Sequence, residues 1–378
     1  MKDPHIPEPD KTVIGIASGP WELLKDCQPV MIEARPEGEG APYPVEPPFT
    51  YLPELGEGNV TFTVSPVELD AIDRIESLGR MNAPSGHVIP TEHGGFVLKN
   101  PSRKYQLRAP ADGIIFEIIH RTKYDEYQLR LAHSNTFVSI LDHVSGLSDL
   151  VKKGLQEGEK ISETPDMVDY RVKISVKAGD ILGTVGGHAD YVVGFDWCVY
   201  DRDVNNSFVN PKRYNLKFLH GTHFIPYCEE SLKERYLSRL PRTAEPRYGK
   251  FCYDQPGKLV GNWISERLPE GNPDVSWDAA LAFAYDPLNP SRLLVGIGGD
   301  LTGERATYMV QGNAPDPADI DVSSGKVTYY LEPYDTNPDA PRITLLIQMI
   351  SDEKIKVEAF KGWIKNPEFT ENARYYTR

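Results

Sequence analysis

Apolar and polar residues alternate along much of the chain, in short runs separated by Gly, Pro, Asp and Asn. Alternation with a period of two predicts β-strands with one buried face, and the turn residues predict antiparallel connections. Between residues 86 and 204 these runs include GIIFEIIHR, EYQLRLAHS, TFVSILDHV, VKISVKAGDILGTVGG and YVVGFDWCVYD. The pattern predicts a compact all-β domain.

One segment near the N-terminus shows helical spacing instead. The sequence SPVELDAIDRIESLG begins with Ser65 as a suitable N-cap and ends with Gly79 as a stop signal. Between them Leu69, Ile72 and Ile75 recur at helical intervals. The spacing predicts a short helix at the end of a proline-rich, extended N-terminal arm.

A second helix, EESLKERYLSRL at 229–240, precedes a polar linker. After the linker come about seven further β-runs, from KLVGNWISE to KIKVEAFKG, which predict an antiparallel meander closed as a barrel or folded as a sandwich. The predicted division is an arm with a short helix packed on the first domain, a first β domain, a helix with linker, and a second β domain. Their ranges are 1–85, 86–227, 228–256 and 257–378.

The composition narrows the class of protein. A chain of 378 residues is long enough for two cores, and 32 prolines with 31 glycines favour turns and short strands over helices. A net charge of −14 without a long basic block makes nucleic acid an unfavourable partner. No apolar run approaches the roughly 18 residues of a membrane-spanning helix, so no transmembrane segment is expected.

The four cysteines are far apart and include no C-x-x-C pair, which argues against a thiolate zinc site. Cys228 and Cys252 flank a short polar stretch and are the pair most suited to a disulfide; the alternative is that all four are reduced. The start, MKDPHIPEPDK, contains no apolar signal core, so the chain is either cytoplasmic or the mature form of an exported protein.

Several motifs of the first domain follow one another in a recognisable order. HGGFV, with His93 and Gly95, is followed by APADGII, by LDHVSGLS with His143, by VKAGDILGTVGG and by FDW. This order resembles the lysostaphin-like zinc metallopeptidases, whose fold is a duplicated barrel-sandwich hybrid. The turn-and-strand segments at 109–118 and 176–186 are similar to each other, as a duplication implies.

The resemblance implies a zinc site that this chain has largely lost. In that family zinc is bound by the His of a His-x-Gly-x-Asp turn, by its Asp, and by the last His of a His-x-His strand. Here Val97 stands at the Asp position, and Phe195 and Trp197 stand at the two His positions. Since neither Val nor an aromatic hydrocarbon ring donates a lone pair to a metal, only His93 remains of the three ligands.

An alternative is that the chain has rebuilt a site from other residues. His87, His93, His133 and Asp196 are the candidate metal ligands, and His143 is the candidate catalytic residue because it occupies the place of a histidine that helps stabilise the transition state in the family. In that case zinc would be the cofactor; otherwise none is expected.

The second domain carries VGNWISE, in which Gly261 and Trp263 resemble the Gly-x-Trp opening of lipocalin-like barrels. An ordinary strand glycine and core tryptophan account for the motif equally well. A lipocalin-like barrel would enclose one small apolar ligand or be filled with side chains.

Three functions follow from these patterns. The leading hypothesis is a non-catalytic binding or scaffolding protein, acting outside the cytoplasm, whose degenerate metallopeptidase-like domain binds a glycan, a peptide or a protein. The first alternative is a divergent metal-dependent hydrolase that uses His93 and His143. The second alternative is a carrier of a small apolar ligand in the C-terminal barrel.

Overall fold

The computed structural model describes residues 46–187, 193–268 and 277–378. Within them antiparallel strands dominate, so the predicted all-β fold class is confirmed. The strands form a large sheet in the first half of the chain and a closed barrel in the second, which confirms an architecture of two parts. Most of the predicted proline-rich arm, residues 1–45, lies outside the described residues.

The first domain is built on an 11-stranded antiparallel sheet. Its strands are β1 (Ile72–Glu76), β2 (Gly94–Leu98), β3 (Tyr105–Arg108), β4 (Gly113–Arg121), β5 (Glu126–Ala132), β6 (Phe137–Leu147), β7 (Glu159–Glu163), β8 (Met167–Val176), β9 (Ile181–Val185), β10 (Gly194–Asp201) and β11 (Gly221–Thr222). The main path runs β1-β2-β10-β6-β5-β4-β8-β7, while β9 pairs with β3 and β6, and β11 with β10. Strands β2, β10 and β6, which are distant in sequence, are therefore neighbours.

In the described part of the chain, helices are few and short. They are α1 (Asp149–Gln156), α2 (Leu216–His220), α3 (Glu230–Leu237) and α4 (Gly299–Thr302). Helix α3 confirms the helix predicted at 229–240. Helix α1 was not predicted; it begins after Ser148, whose side chain accepts a hydrogen bond from the backbone N–H of Val151 and so caps the first turn.

The prediction of a helix over residues 65–79 is wrong. The chain forms a single 3-10 turn at Leu69–Ala71 and then strand β1, which pairs antiparallel with β2. A register shift between Ile72 and Arg74 marks a β-bulge, and Ile72 and Ile75 are both buried in the core although they are three residues apart. The spacing that resembled a helical stripe therefore comes from a bulged strand.

The two faces of the large sheet have different surroundings. On one face of β10, Phe195 and Trp197 belong to the main apolar core, whereas Cys198 and Tyr200 on the other face belong to a second, smaller cluster. Because side chains alternate along a strand, Asp196 points to the same side as Cys198 and Tyr200, away from the main core.

The second domain is a closed antiparallel barrel of eight strands in sequential order. Its strands are β12 (Gly261–Ser265), β13 (Ala280–Tyr285), β14 (Leu293–Ile297), β15 (Ala306–Gln311), β16 (Lys326–Pro333), β17 (Ile343–Ser351), β18 (Lys354–Lys361) and β19 (Arg374–Thr377). The seven predicted runs correspond to β12–β18, and the short β19 closes the barrel by pairing with both β12 and β18.

The Gly-x-Trp motif lies at one end of the barrel. Gly261 has a φ of +112°, and a Cβ there would lie 2.3 Å from Oδ1 of Asp254, so no other residue fits. Trp263 is fully buried; its indole N–H donates to the carbonyl of Leu259 at 2.8 Å, and the guanidinium of Arg378 lies 4.0 Å from its ring. This tryptophan anchors the barrel end by packing and by both contacts.

The barrel and the large sheet share an apolar interface. On β13, Ala282 and Ala284 face outward and pack in one cluster with Val88 of the first domain. A hydrogen bond also joins the two parts, from the backbone N–H of Ala83 to Oγ1 of Thr307 at 3.1 Å. Small side chains on β13 allow this close approach.

The predicted disulfide between Cys228 and Cys252 is wrong, since both thiols are free. Cys228 donates to the carbonyl of Phe224, and Cys252 to that of Ser207. Each thiol thus donates to a different backbone carbonyl, and the two cysteines are not bonded to each other. Among the described residues, no helix combines the length and the apolar character needed to cross a membrane.

Candidate functional site

Three of the predicted site residues meet on the polar face of the large sheet. Strand β10 lies between β2 and β6, so Asp196 on β10 lies between His93, which precedes β2, and His143 on β6. The Nε2 atoms of His93 and His143 are 3.6 and 3.5 Å from Oδ2 of Asp196. One carboxylate oxygen thus lies beside two imidazoles from distant parts of the chain.

Glycine in the HGG sequence makes room for this arrangement. Gly95 pairs with Asp196 across the two strands. A Cβ at Gly95 would lie 2.9 Å from Oδ1 of Asp196 and 2.7 Å from the carbonyl oxygen of Phe195. Any side chain at this position would push the Asp196 carboxylate away from the histidines.

A β-bulge turns His143 toward the same face. On β5, Tyr127 and Leu129 pair with Val144 and Leu141, so β6 contains one extra residue there. His143 takes up this residue with a φ of +61°, a left-handed conformation that is uncommon for a side-chain-bearing residue. Leu141 and Val144 remain in the main core, while Asp142 and His143 contact polar partners instead.

Each imidazole is held from behind by a second carboxylate. Nδ1 of His93 lies 3.3 Å from Oε2 of Glu92, and Nδ1 of His143 lies 3.0 Å from Oε2 of Glu126. Glu92 also accepts a hydrogen bond from the hydroxyl of Tyr200 at 3.1 Å. These contacts fix both rings so that their Nε2 atoms face Asp196.

Behind His143 lies a buried ionic network centred on Arg121. Its Nη1 and Nη2 atoms bind the two carboxylate oxygens of Asp142 at 2.6 and 2.9 Å, and Nη1 also lies 2.9 Å from Oε1 of Glu126. Gln128 donates to Asp142 at 2.7 Å. All four side chains are buried, so each charge depends on its neighbours rather than on water.

The charges of this cluster shift the pKa values of its members. Burial alone would lower the pKa of His93, but the charge and hydrogen bond of Glu92 together with the charge of Asp196 raise it to about 9. Burial likewise opposes protonation of His143, but Asp142 and Glu126 raise its pKa well above the usual value. Both imidazoles therefore carry a proton at neutral pH.

The pKa values of the carboxylates shift in the opposite direction. Burial would raise the pKa of Asp196, but the hydrogen bond from His143 and the charges of both histidines lower it to about 2. Against the same effect of burial, the charge and hydrogen bond of His93 lower the pKa of Glu92 to about 2. The site is thus a set of alternating imidazolium and carboxylate groups.

The remaining candidates occupy different places. His87 lies beside the site: its ring centroid is 5.6 Å from that of His93 and 6.3 Å from that of Trp277 in the barrel. Burial, together with the charge of His93, lowers the pKa of His87 to about 4. It connects the site to the barrel but carries no charge at neutral pH.

His133 lies on the opposite face, in the main core. Its Nδ1 is 2.8 Å from the carbonyl of Asp112 and its Nε2 is 2.9 Å from the hydroxyl of Ser139, which also accepts the indole N–H of Trp197. Burial lowers the pKa of His133 to about 4. It is a neutral core histidine with both nitrogens satisfied.

The zinc ligands implied by the resemblance do not fit this chain. Phe195 and Trp197 point into the main core, and Val97 has no donor atom. In residues 46–187, 193–268 and 277–378, no group of three or more His, Cys, Asp or Glu side chains has the arrangement that would hold a metal ion. His93, Asp196 and His143 converge as an ion-paired set.

No protein-family model matches the chain, and no curated protein sequence matches it significantly. The resemblances to lysostaphin-like metallopeptidases and lipocalin-like barrels therefore stay predictions that depend on the quoted motifs. The function must be inferred from the geometry of the site.

Sequence reasoning did not find the supporting residues. Glu92, Glu126, Asp142 and Arg121 approach the histidines through strand register and the bulge at His143, which leave no regular spacing in the sequence. Only Glu92 and Asp142, as the chain neighbours of His93 and His143, carried a local signal.

Proposed function

We propose that the protein is a non-catalytic binding protein whose ligand is a glycan, bound at His93, Asp196 and His143. The observation that carries this proposal is the partly exposed carboxylate of Asp196 between two imidazoles. The side chain of Asp196 is 30% exposed, and those of His93 and His143 are 14% and 16% exposed. Donor and acceptor groups can therefore be reached side by side from solvent.

The charge balance of the site favours a neutral, hydroxyl-bearing ligand. The carboxylates of the cluster face a similar number of cations: Glu92, Glu126, Asp142 and Asp196 on one side, and His93, His143, Arg121 and Lys217 on the other. No excess charge is left to select an ionic ligand. A hydroxyl group can donate to Asp196 and accept from an imidazolium N–H through one oxygen atom, whereas an amide needs two separate atoms for the same two bonds.

The position of the site supports the same proposal. His87 links His93 to Trp277, so the cluster lies close to the junction of the two domains, where ligand sites often occur.

A glycan array followed by calorimetry with the best-bound oligosaccharide tests this proposal. Asp196→Asn and His93→Gln should each weaken binding by about tenfold, because each leaves ligand hydroxyls without a charged partner. His120→Gln is the matched control: His120 is also a carboxylate-paired histidine, 3.2 Å from Asp125, but is not part of the cluster. An array without binding, or full affinity in both site variants, would contradict the proposal.

A divergent metal-dependent hydrolase is the second candidate. One observation favours it: the carboxylate-backed orientation of His93 and His143 is the one that metal-ligating histidines usually have. Metal analysis of protein purified without a histidine tag decides between the two. Stoichiometric zinc that disappears, together with hydrolytic activity, in His93→Ala would favour the enzyme, whereas metal-free protein that still binds glycan would favour the binding protein.

The packing of the barrel gives the carrier hypothesis no support. Its inward side chains, among them Leu281, Phe283, Tyr329 and Leu345, form one buried cluster with at most 1% of each residue exposed. Since these side chains fill the interior, we do not propose transport of a small apolar ligand.

A further inference from the structure

The outer wall of the barrel carries a row of cationic and aromatic side chains. Tyr375 on β19 pairs in register with Lys356 on β18, Lys356 with Gln348 on β17, and Gln348 with Lys326 on β16. Their chain neighbours Tyr376, Ile355 and Ile347 belong to the barrel interior, and Val327, next to Lys326, packs against it. The row therefore points outward and crosses four adjacent strands, a span of about 14 Å at the usual strand spacing.

Along this part of the wall, lysine ammonium groups and aromatic rings alternate. The ammonium groups of Lys354 and Lys356 lie 4.7 and 5.9 Å from the ring centre of Tyr375. Lys356 also lies 4.6 Å from the ring of Phe369, and Lys326 lies 5.9 Å from the same ring. We call Tyr375, Lys354, Lys356, Phe369 and Lys326 the cation-aromatic row.

The row is held in place and is partly open to solvent. Phe369 belongs to the loop between β18 and β19, which is fixed to the wall by two hydrogen bonds from Thr370 to Glu358, at 2.7 and 2.6 Å. Tyr375 is 38% exposed, and the side chain of Lys326 is 44% exposed. A ligand would meet a preformed surface.

The cations of the row are not all neutralised. Lys326 pairs with Glu368 and Lys354 with Glu266, whereas Lys356 forms no ion pair with any of the described residues. Lys356 thus places an unpaired ammonium between the exposed ring of Tyr375 and the half-buried ring of Phe369, in a chain with a net charge of −14. An anion would be attracted to this point rather than to the surface as a whole.

We propose that the cation-aromatic row is a second binding site, for an acidic polysaccharide. The exposed ring of Tyr375 and the half-buried ring of Phe369 offer apolar faces against which the C–H faces of sugar rings can pack, and Lys356 offers a counter-charge for a carboxylate. The combination of aromatic rings with a cation favours an acidic polysaccharide over a simple polyanion, because binding of a simple polyanion needs only cations. The proposal does not depend on the function of the His93 cluster.

Calorimetry with polygalacturonate, neutral dextran and inorganic polyphosphate tests the proposal on the full chain. Polygalacturonate should bind at least about tenfold more tightly than either of the other polymers. Equal binding of polyphosphate would mean attraction by charge alone, and equal binding of dextran would mean that the carboxylate is irrelevant. Either result, or the absence of binding, would overturn the proposal.

Point variants locate the site. Tyr375→Ala and Lys356→Gln should each weaken polygalacturonate binding by about three- to tenfold, while thermal unfolding stays unchanged because both side chains are on the surface. Lys123→Gln is the matched control, since Lys123 lies 5.3 Å from the ring of Tyr124 in the first domain. Asp196→Asn should bind polygalacturonate normally, so a failure of the His93 site leaves this result intact. Full affinity in both row variants would refute the assignment.

Discussion

The interior of the barrel and the ionic network around Arg121 on the large sheet are both buried, but they are stabilised in different ways. In the barrel, apolar side chains such as Leu345 and Ile347 fill the space and need no specific partner. On the sheet, Arg121, Asp142 and Glu126 are buried as charges and depend on one another. The first region tolerates conservative changes of shape, whereas the second requires complementary charges in fixed positions.

The largest effect should come from removing one charge of the polar face. Arg121→Met leaves the carboxylates of Asp142 and Glu126 without their cation, and we expect unfolding free energy to fall by about 3–5 kcal/mol. Urea denaturation measures this. In the control Arg171→Met, which removes an ion pair with Glu159 whose side chains are 52% and 67% exposed, the loss should stay below about 1 kcal/mol. Equal losses would mean that burial of the charges does not matter.

A conservative change in the barrel should cost less. Trp263→Phe retains an aromatic ring but leaves the carbonyl of Leu259 without its indole donor, for an expected loss of about 1–3 kcal/mol. The same measurement applies, with Trp363→Phe as the control because Trp363 is 49% exposed. A loss larger than that of Arg121→Met would reverse the comparison between the two regions.

Acid should weaken the first domain before the barrel. Burial lowers the pKa of His133 and His223 to about 4, so their neutral forms stabilise the folded state above pH 6.5 and this stability is lost as pH falls toward 4. By pH 5 the loss should reach about 1–2 kcal/mol for each histidine. The raised pKa of His93 and the lowered pKa of Asp196 add little between pH 6.5 and 5, because their contributions change mainly outside this window.

Hydrogen exchange at pH 6.5 and pH 5, corrected for intrinsic rates, can separate the two regions. Residues 257–378 contain no histidine, so protection should fall in the strands of the large sheet and remain in β12–β19. In His133→Gln the pH-dependent loss should be smaller. Equal loss of protection in both regions would show that these histidines do not control the response to acid.

The smallest effect should be that of a reducing agent. Because Cys228 and Cys252 are free thiols in separate environments, dithiothreitol should leave the midpoint of thermal unfolding unchanged. A clear decrease would indicate a disulfide after all.

Sequence patterns predicted the barrel better than the site. The barrel strands show their periodicity within a few residues, whereas the site brings together residues that are far apart in the sequence. Alternation along β17 and β18 is visible within single strands, so seven of the eight barrel strands could be predicted; the four-residue β19 gave too short a signal. The bulge in β1 imitated helical spacing between Ile72 and Ile75. Local periodicity is therefore reliable only where the strand is regular.

The geometry of the site depends on which strands pair in the large sheet and in what register. His93, His143 and Asp196 were each predicted as candidates, but their convergence required β2, β10 and β6 to be neighbours, which no local pattern specifies. The resemblance implies ligand positions at Phe195 and Trp197, whereas alternation on β10 places Asp196 on the side of the histidines. His133 is a histidine like His93 and His143 but lies on the opposite face of the sheet. A shift of one residue along a strand is enough to move a side chain from one face to the other.

The backbone of His143 restricts how this position can change over evolutionary time. A left-handed φ is tolerated best by glycine and asparagine, so the substitutions that preserve the bulge are also those that remove the imidazole. One such replacement would remove the site and keep the bulge, at the cost of leaving Glu126 and Asp196 without the imidazolium of His143. Related chains of the same architecture would then differ in whether they bind at all.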